Sequence, residues 1–291
     1  MTHSGERSPR SSIAGWLRTQ GFLLLASAIG LLALLSPLLT PLVQQDDADT
    51  TAHSGDAPVL FAIITICTLL ATMLVVADDQ AGVGRAKTVA LLGVLVAIDA
   101  TLRIVPSFLG ASPIFLLIML VGCVFGASLG FQMGTLTLLL SAIVTGGVGP
   151  WLPFQMLAAG WVGMTAGWLP SVRNERLRIG MLAVFGAFWG LAFGFVMNLW
   201  FWPFAAPSTP SEVGLYWSPG LSFGETIGRY VRFYGVTSLG FDLFRSAGNV
   251  VLMLVLGGPI LRLLTRYRSR FTWQPWEDDV AAPSGTATPG R

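Results

Sequence analysis

An all-α polytopic membrane protein, with about eight transmembrane helices, is the fold class this sequence predicts. Three observations carry it. Of 291 residues, 53% are hydrophobic and only 11% charged, against roughly 25% charged in an ordinary soluble domain. The mean hydropathy of +0.69 agrees. Apolar runs recur at about the 18–25 residues that a helix needs to cross roughly 30 Å of hydrocarbon, and they do not alternate as barrel strands would. Finally, the basic residues segregate along the chain in the way a fixed membrane topology requires.

Taken in order, the spans fall at 17–43, 59–77, 88–106, 113–131, 134–148, 151–170, 179–203 and 234–263. Drawn this way, Arg7, Arg10, Arg18, Arg85, Lys87, Arg173, Arg176, Arg178, Arg262, Arg266, Arg268 and Arg270 share one side. The other side keeps Arg229 and Arg232 against Asp46, Asp47, Asp49, Asp56, Glu212 and Glu225. By the positive-inside rule both termini are cytoplasmic and the protein is a multi-pass plasma-membrane protein. An odd number of spans would scramble this segregation.

Residues 1–16 and 271–291 are polar and rich in Gly, Pro and Ser, the composition of cytoplasmic disordered tails. A two-helix pair (17–77), split by the acidic external loop "QQDDADTTAHSGDAP", precedes a six-helix core over 88–265. Within that core one external connection is long, Ala205 to Phe233, with Tyr216 and Trp217 near its middle; it reads equally as a lid or a linker. The stretch "GGVGP" predicts a tight external hairpin over Val148 to Trp151, with Pro150 in the first turn of the next helix. Gly160, Gly163 and Gly167 then make a smooth strip for close helix packing.

Polar residues inside spans are costly and mark sites or internal pairs. Gln155 lies one turn inside the outer end of its span and needs a partner or a ligand. Asp99 and Arg103 are four apart on the third span, and Asn198 is near the outer end of the seventh. On the eighth, Gly235, Ser238, Asp242, Arg245 and Asn249 share one face at about 100° per residue. Two local ion pairs, Asp99–Arg103 and Asp242–Arg245, are the structural alternative to a polar site. Depth favours a site. Arg103, Gln155, Asn198, Asp242 and Arg245 all lie in the outer half or near the midplane, so a pocket open to the outside accounts for them economically. Trp151, Trp200, Trp202 and Trp217 cluster near its mouth, as flat surfaces for a ring-bearing ligand or as an interfacial belt. Ala86, Ala90, Gly93, Ala97 and Ala100 form a small-residue stripe on the third span, opposite Asp99 and Arg103, where a partner helix or an internal one could dock.

No catalytic constellation is visible, so the chain does not read as an enzyme. His3 and His53 are the only histidines, and Cys67 and Cys123 sit inside spans without metal spacing. The sole lysine, Lys87, is not in a Walker loop, so ATP hydrolysis belongs to a partner. No filter or charged ring suggests a pore. No metal or cofactor is expected. Nor is a nucleic-acid partner.

Four segments, "LLGVLVAIDATLRI", "PIFLLIMLVGCVFGASLGFQMG", "TGGVGPWLPFQMLAAGWVGMTAG" and "GFVMNLWFWPF", resemble a known family. The core over about 88–265 is similar to the substrate-binding S components of energy-coupling factor (ECF) vitamin transporters, most of all to actinobacterial members proposed to take up cobalamin. One departure is the "GCVFGASLG" segment, with Cys123 and Ala127 where the family has Arg and Pro. The resemblance implies a subunit that binds a vitamin in an outward pocket formed by its later spans. It then docks on a membrane coupling protein and two ABC ATPases, and topples to release its cargo. It also implies that Ala86, Ala90, Gly93 and Ala97 are the docking stripe. The alternatives are a riboflavin- or thiamine-type vitamin, a stand-alone carrier using Asp99 or Asp242 as a proton site, and an intramembrane enzyme or assembly factor.

Overall fold

A computed structural model describes residues 21–35, 58–59, 61–70, 82–104, 112–205, 214–218 and 220–271. The expected tails (to residue 16 and from 272), the acidic loop with His53, and the middle of the long external connection lie outside the described residues. So does the side chain of Ala86.

Among the described residues the secondary structure is helical throughout. The helices are α1 (Gly21–Leu35), α2 (Phe61–Leu70), α3 (Gly82–Leu102), α4 (Ile114–Phe125), α5 (Ala127–Thr145), α6 (Leu152–Ala166), α7 (Glu175–Phe201), α8 (Phe223–Thr237) and α9 (Leu239–Phe271). α5, α7 and Leu239–Ser269 of α9 are long and apolar enough to cross a membrane, and α1, α2 and α4 are shorter apolar helices. The chain is an all-α polytopic membrane protein.

α4 is the centre of the bundle. Ten of its 12 residues are buried, and at 1.5 Å per residue it covers only about 18 Å. It ends at Gly126, whose φ of 98° returns the chain directly into α5. The predicted turn near residues 131–134 is therefore misplaced, because Gly126 supplies a conformation that side chains resist. α5 packs most closely on α6. A methyl group built on Gly130 would lie 2.6 Å from the carbonyl carbon of Gly163 and 2.7 Å from Cα of Gly122, so α4, α5 and α6 meet backbone to backbone. Gly160, Gly163 and Gly167 all face α5 or its start, which is the packing role expected of them.

Three further expectations are corrected. Pro153, not Pro150, sits in the first turn of α6, behind Trp151 as N-cap. The eighth span is two helices: α8, inside the supposed lid, ends at Ser238, and α9 follows at once. Gly235 is thus on α8 and leaves the face that Asp242 shares. α8 forms because Ser222 and Glu225 close a reciprocal capping box, while Tyr230 and Phe233 bury one face of it. α9 also runs well past the predicted span end, to Phe271.

Candidate functional site

α3 and α5 run in the same direction, and their polar residues match in steps of four. Asp99 is fully buried, and Thr137 Oγ1 donates to its Oδ2 at 3.1 Å. Its Oδ1 has no partner among the described residues. One turn on, Arg103 donates through Nη1 to Ser141 Oγ (2.7 Å) and through Nη2 to Gln155 Oε1 (3.1 Å). The Asp99–Arg103 pair, half of the structural alternative to a site, is not the arrangement among the described residues. Arg103 lies just beyond the last residue of α3, so its side chain leaves the helix face and reaches across to α5 and α6. Gln155 finds its partner in that guanidinium. Ser141 was missed by sequence reasoning, although Thr137 and Ser141, four apart on α5, repeat the spacing of Asp99 and Arg103.

Beside this cluster the aromatic residues close the end of the bundle. Trp200 sits edge-on to Trp151, with centroids 6.4 Å apart, and lies 5.8 Å from Phe154. Trp202 is fully buried, donates to the carbonyl of Leu215 at 2.9 Å and stacks edge-on with Tyr230. It is structural mortar for the 214–218 segment rather than an open platform. Trp217 is half-buried, and its Nε1 has no acceptor among the described residues.

The second cluster is a ladder between antiparallel α7 and α9. Asn249 Nδ2 donates to the Gly186 carbonyl (2.9 Å), Ser246 Oγ to that of Ala187 (2.7 Å), and Arg245 Nη1 to that of Gly190 (3.3 Å). At the next step Asp242 packs against Gly194, where no side chain leaves room for its carboxylate. At the last, Ser238 Oγ donates to Asn198 Oδ1 at 3.2 Å. The Asp242–Arg245 ion pair, the other half of that alternative, is formed. The Arg245 guanidinium also lies 5.5 Å from the centroid of Phe193, which in turn stacks on Phe115 of α4. Asn249 and Asp242 are buried, at 3% and 2% exposure, so both fasten α9 to α7. Phe193, Tyr230 and Tyr234 join this region unforeseen, since aromatic residues in an apolar helix carry no signal of which neighbour they face. Among the described residues no group of three His, Cys, Asp or Glu side chains is placed to hold a metal ion.

The other face of α3 is uncovered among the described residues. Ala90, Gly93 and Ala97 are exposed, and nothing lies within 4 Å of where a Gly93 side chain would begin, while Ala100 is buried. α3 is thus two-sided, with hydrogen-bonded polar groups inward and small residues outward.

The family described as ECF transporter, substrate-specific component, matches residues 87–257, more than half of the chain. The chain belongs to that family. It is therefore the membrane-embedded S subunit of an ECF importer, a transporter component rather than an enzyme, and a partner of that importer's coupling and ATPase module. No curated protein and no solved structure matches it. Arg178 of α7 donates to the Cys123 carbonyl of the "GCVFGASLG" segment at 3.1 Å, placing a cation at the C-terminal end of α4.

Proposed function

We propose that this S component binds a vitamin, cobalamin by its sequence resemblance, at the end of the bundle opposite the arginine-rich one, and delivers it through a membrane coupling protein and two ABC ATPases. The observation that carries the reading is the two-sidedness of α3. Its inner face places Arg103 on Ser141 and Gln155, beneath the Trp151–Trp200 aromatic cap. Its outer face leaves Ala90, Gly93 and Ala97 exposed among the described residues. Ligand side and partner side are separated by one helix. With Arg103 the ligand-facing set is Trp151, Gln155, Asn198, Trp202, Trp217, Asp242, Arg245 and Asn249. Asp242, Asn249 and Trp202, all buried, act by shaping the site from behind. The docking set is Ala86, Ala90, Gly93 and Ala97, because small side chains allow a partner helix to approach closely. Both termini are cytoplasmic, and 88–265 is the substrate-binding core. Residues 17–77 form an added pair, whose α1 contacts α6 through Trp161 Nε1 donating to Ser27 Oγ at 3.0 Å.

The test is mass spectrometry of the full chain purified in mild detergent, followed by titration with the ligand found. Co-purified cobalamin supports the reading; a different vitamin keeps the S-component role and removes cobalamin. In liposomes the chain alone should bind ligand but accumulate none. Concentrative uptake driven by a proton gradient, without ATPases, would establish the stand-alone carrier instead.

A further inference from the structure

At the arginine-rich end, a cleft of about 440 Å³ opens between the start of α7 and the last turns of α9, bordered by Arg173, Glu175, Arg178, Arg262 and Arg266. Four guanidinium groups here face a single carboxylate. Two of the four are already committed: Arg178 to Cys123, and Arg262 to Glu175 at 2.6 Å. The side chains of Arg173 and Arg266 have no hydrogen bond or ion pair among the described residues. The amides at the start of α7 are not the attraction, since Asn174 Oδ1 already accepts from Arg176 N and Leu177 N. The uncompensated charge therefore belongs to the arginines. A fork of N–H donors at a water-exposed edge matches a phosphate group.

The depth of the cleft says where that phosphate comes from. Trp168, 62% exposed, and Tyr267, 44% exposed, stand at the same end of the bundle, as aromatic residues do at the level of lipid headgroups. Leu177 and Leu263, each next in sequence to an arginine of the cleft, are also exposed. The volume is several times that of a bare ion with its water.

We propose that this cleft binds the headgroup of an anionic phospholipid, with Arg173 and Arg266 holding the phosphate and the exposed leucines meeting its acyl chains. The positive-inside rule puts the site in the cytoplasmic leaflet, where a bound lipid would brace α7 against α9 at the end remote from the vitamin. The inference needs the membrane assignment but not the identity of the vitamin.

Native mass spectrometry of the full chain in detergent, titrated with phosphatidylglycerol and separately with phosphatidylcholine, tests it. The wild type should retain phosphatidylglycerol preferentially, and Arg173→Gln/Arg266→Gln should weaken that retention about 10- to 30-fold, as expected when two positive charges are removed at a membrane surface. Arg176→Gln, on the same turn but outside the cleft, should change nothing. Both exchanged residues are exposed and unpaired, so elution profile and melting midpoint without lipid should match the wild type. Equal retention by the double variant overturns the proposal. Displacement of the lipid by millimolar inorganic phosphate overturns it in favour of a small-anion site. Unchanged lipid retention with failed assembly on the ATPase module overturns it in favour of an acidic protein partner.

Discussion

Gly130→Ala is the perturbation that most directly probes how the core of this S component is held together. The added methyl would lie 2.6 Å from the Gly163 carbonyl carbon and 2.7 Å from Gly122 Cα. Carbon atoms pack at about 3.5–4.0 Å, so α5 would have to part from both α6 and α4 by nearly an ångström. The obstructing atoms are backbone, and no rotamer change can move them aside. Overpacking of this kind costs about 1–3 kcal/mol, and the upper end applies where nothing yields. Replacing glycine by alanine in a helix returns up to about 1 kcal/mol. A net loss of about 2 kcal/mol remains, which for a domain of this size lowers the melting midpoint by roughly 4–8 °C. Gly93→Ala is the matched control. Its methyl meets nothing within 4 Å, so only the propensity gain acts, and the midpoint should stay level or rise slightly. The assay is thermal unfolding of both variants in the same detergent, followed by a thiol-reactive dye at buried Cys67. Equal shifts for the two variants would refute the backbone-contact argument, and with it the placement of α5 against α6.

Other predictions separate the surfaces of the protein. Ala90→Leu or Ala97→Leu should abolish transport by the assembled importer while leaving ligand affinity within about twofold, because a bulky side chain blocks close helix approach; weakened binding as large as that of Arg245→Ala would make the stripe internal packing. Arg245→Ala strands the Asp242 carboxylate against Gly194 and should cost about 2–5 kcal/mol in ligand affinity, or roughly 30-fold and more in Kd, read by titration of monodisperse protein. Gly194→Ala displaces the same carboxylate from the other side and should reproduce much of that loss. At the start of α8, the Ser222 hydroxyl and then its backbone N–H hold the Glu225 carboxyl below its ordinary value of 4.5. The cap is therefore complete above pH 4.5 and is lost as pH falls through the lowered value. Amide exchange at Ser222 should accelerate in that window, and in Glu225→Gln the step should vanish. For topology, cysteines placed at Ala48 and Ser211 should react with an impermeant reagent on intact cells, and one at Asn174 should not.

Much of this protein was legible in one dimension because the bilayer makes it so. A solvent that satisfies no backbone group forces helices, and the cost of burying charge pushes Arg and Lys to the ends, so class and approximate spans follow from composition and spacing. The glycine strip from Gly160 to Gly167 was legible too, since only close packing explains three such residues on one face. The resemblance of four segments pointed to the family that the match over 87–257 then showed. What stayed hidden is whatever depends on rotation and depth between helices. Hydropathy is blind to a one-residue turn inside an apolar run, so the break at Gly126 fell where only backbone conformation reveals it. It is equally blind to the division of α8 from α9 at Ser238. Spacing within a single helix left an Asp99–Arg103 pair open as the alternative to a site. The tertiary structure instead gave Thr137 to one and Ser141 with Gln155 to the other, because α5 and α6 present polar groups at matching heights. Asp242 and Arg245, three apart, do form an ion pair, yet spacing could not show that glycines of α7 would admit that pair into the wall of the bundle. A sequence records which groups need a partner; the packing of helices against each other decides which partner lies within reach.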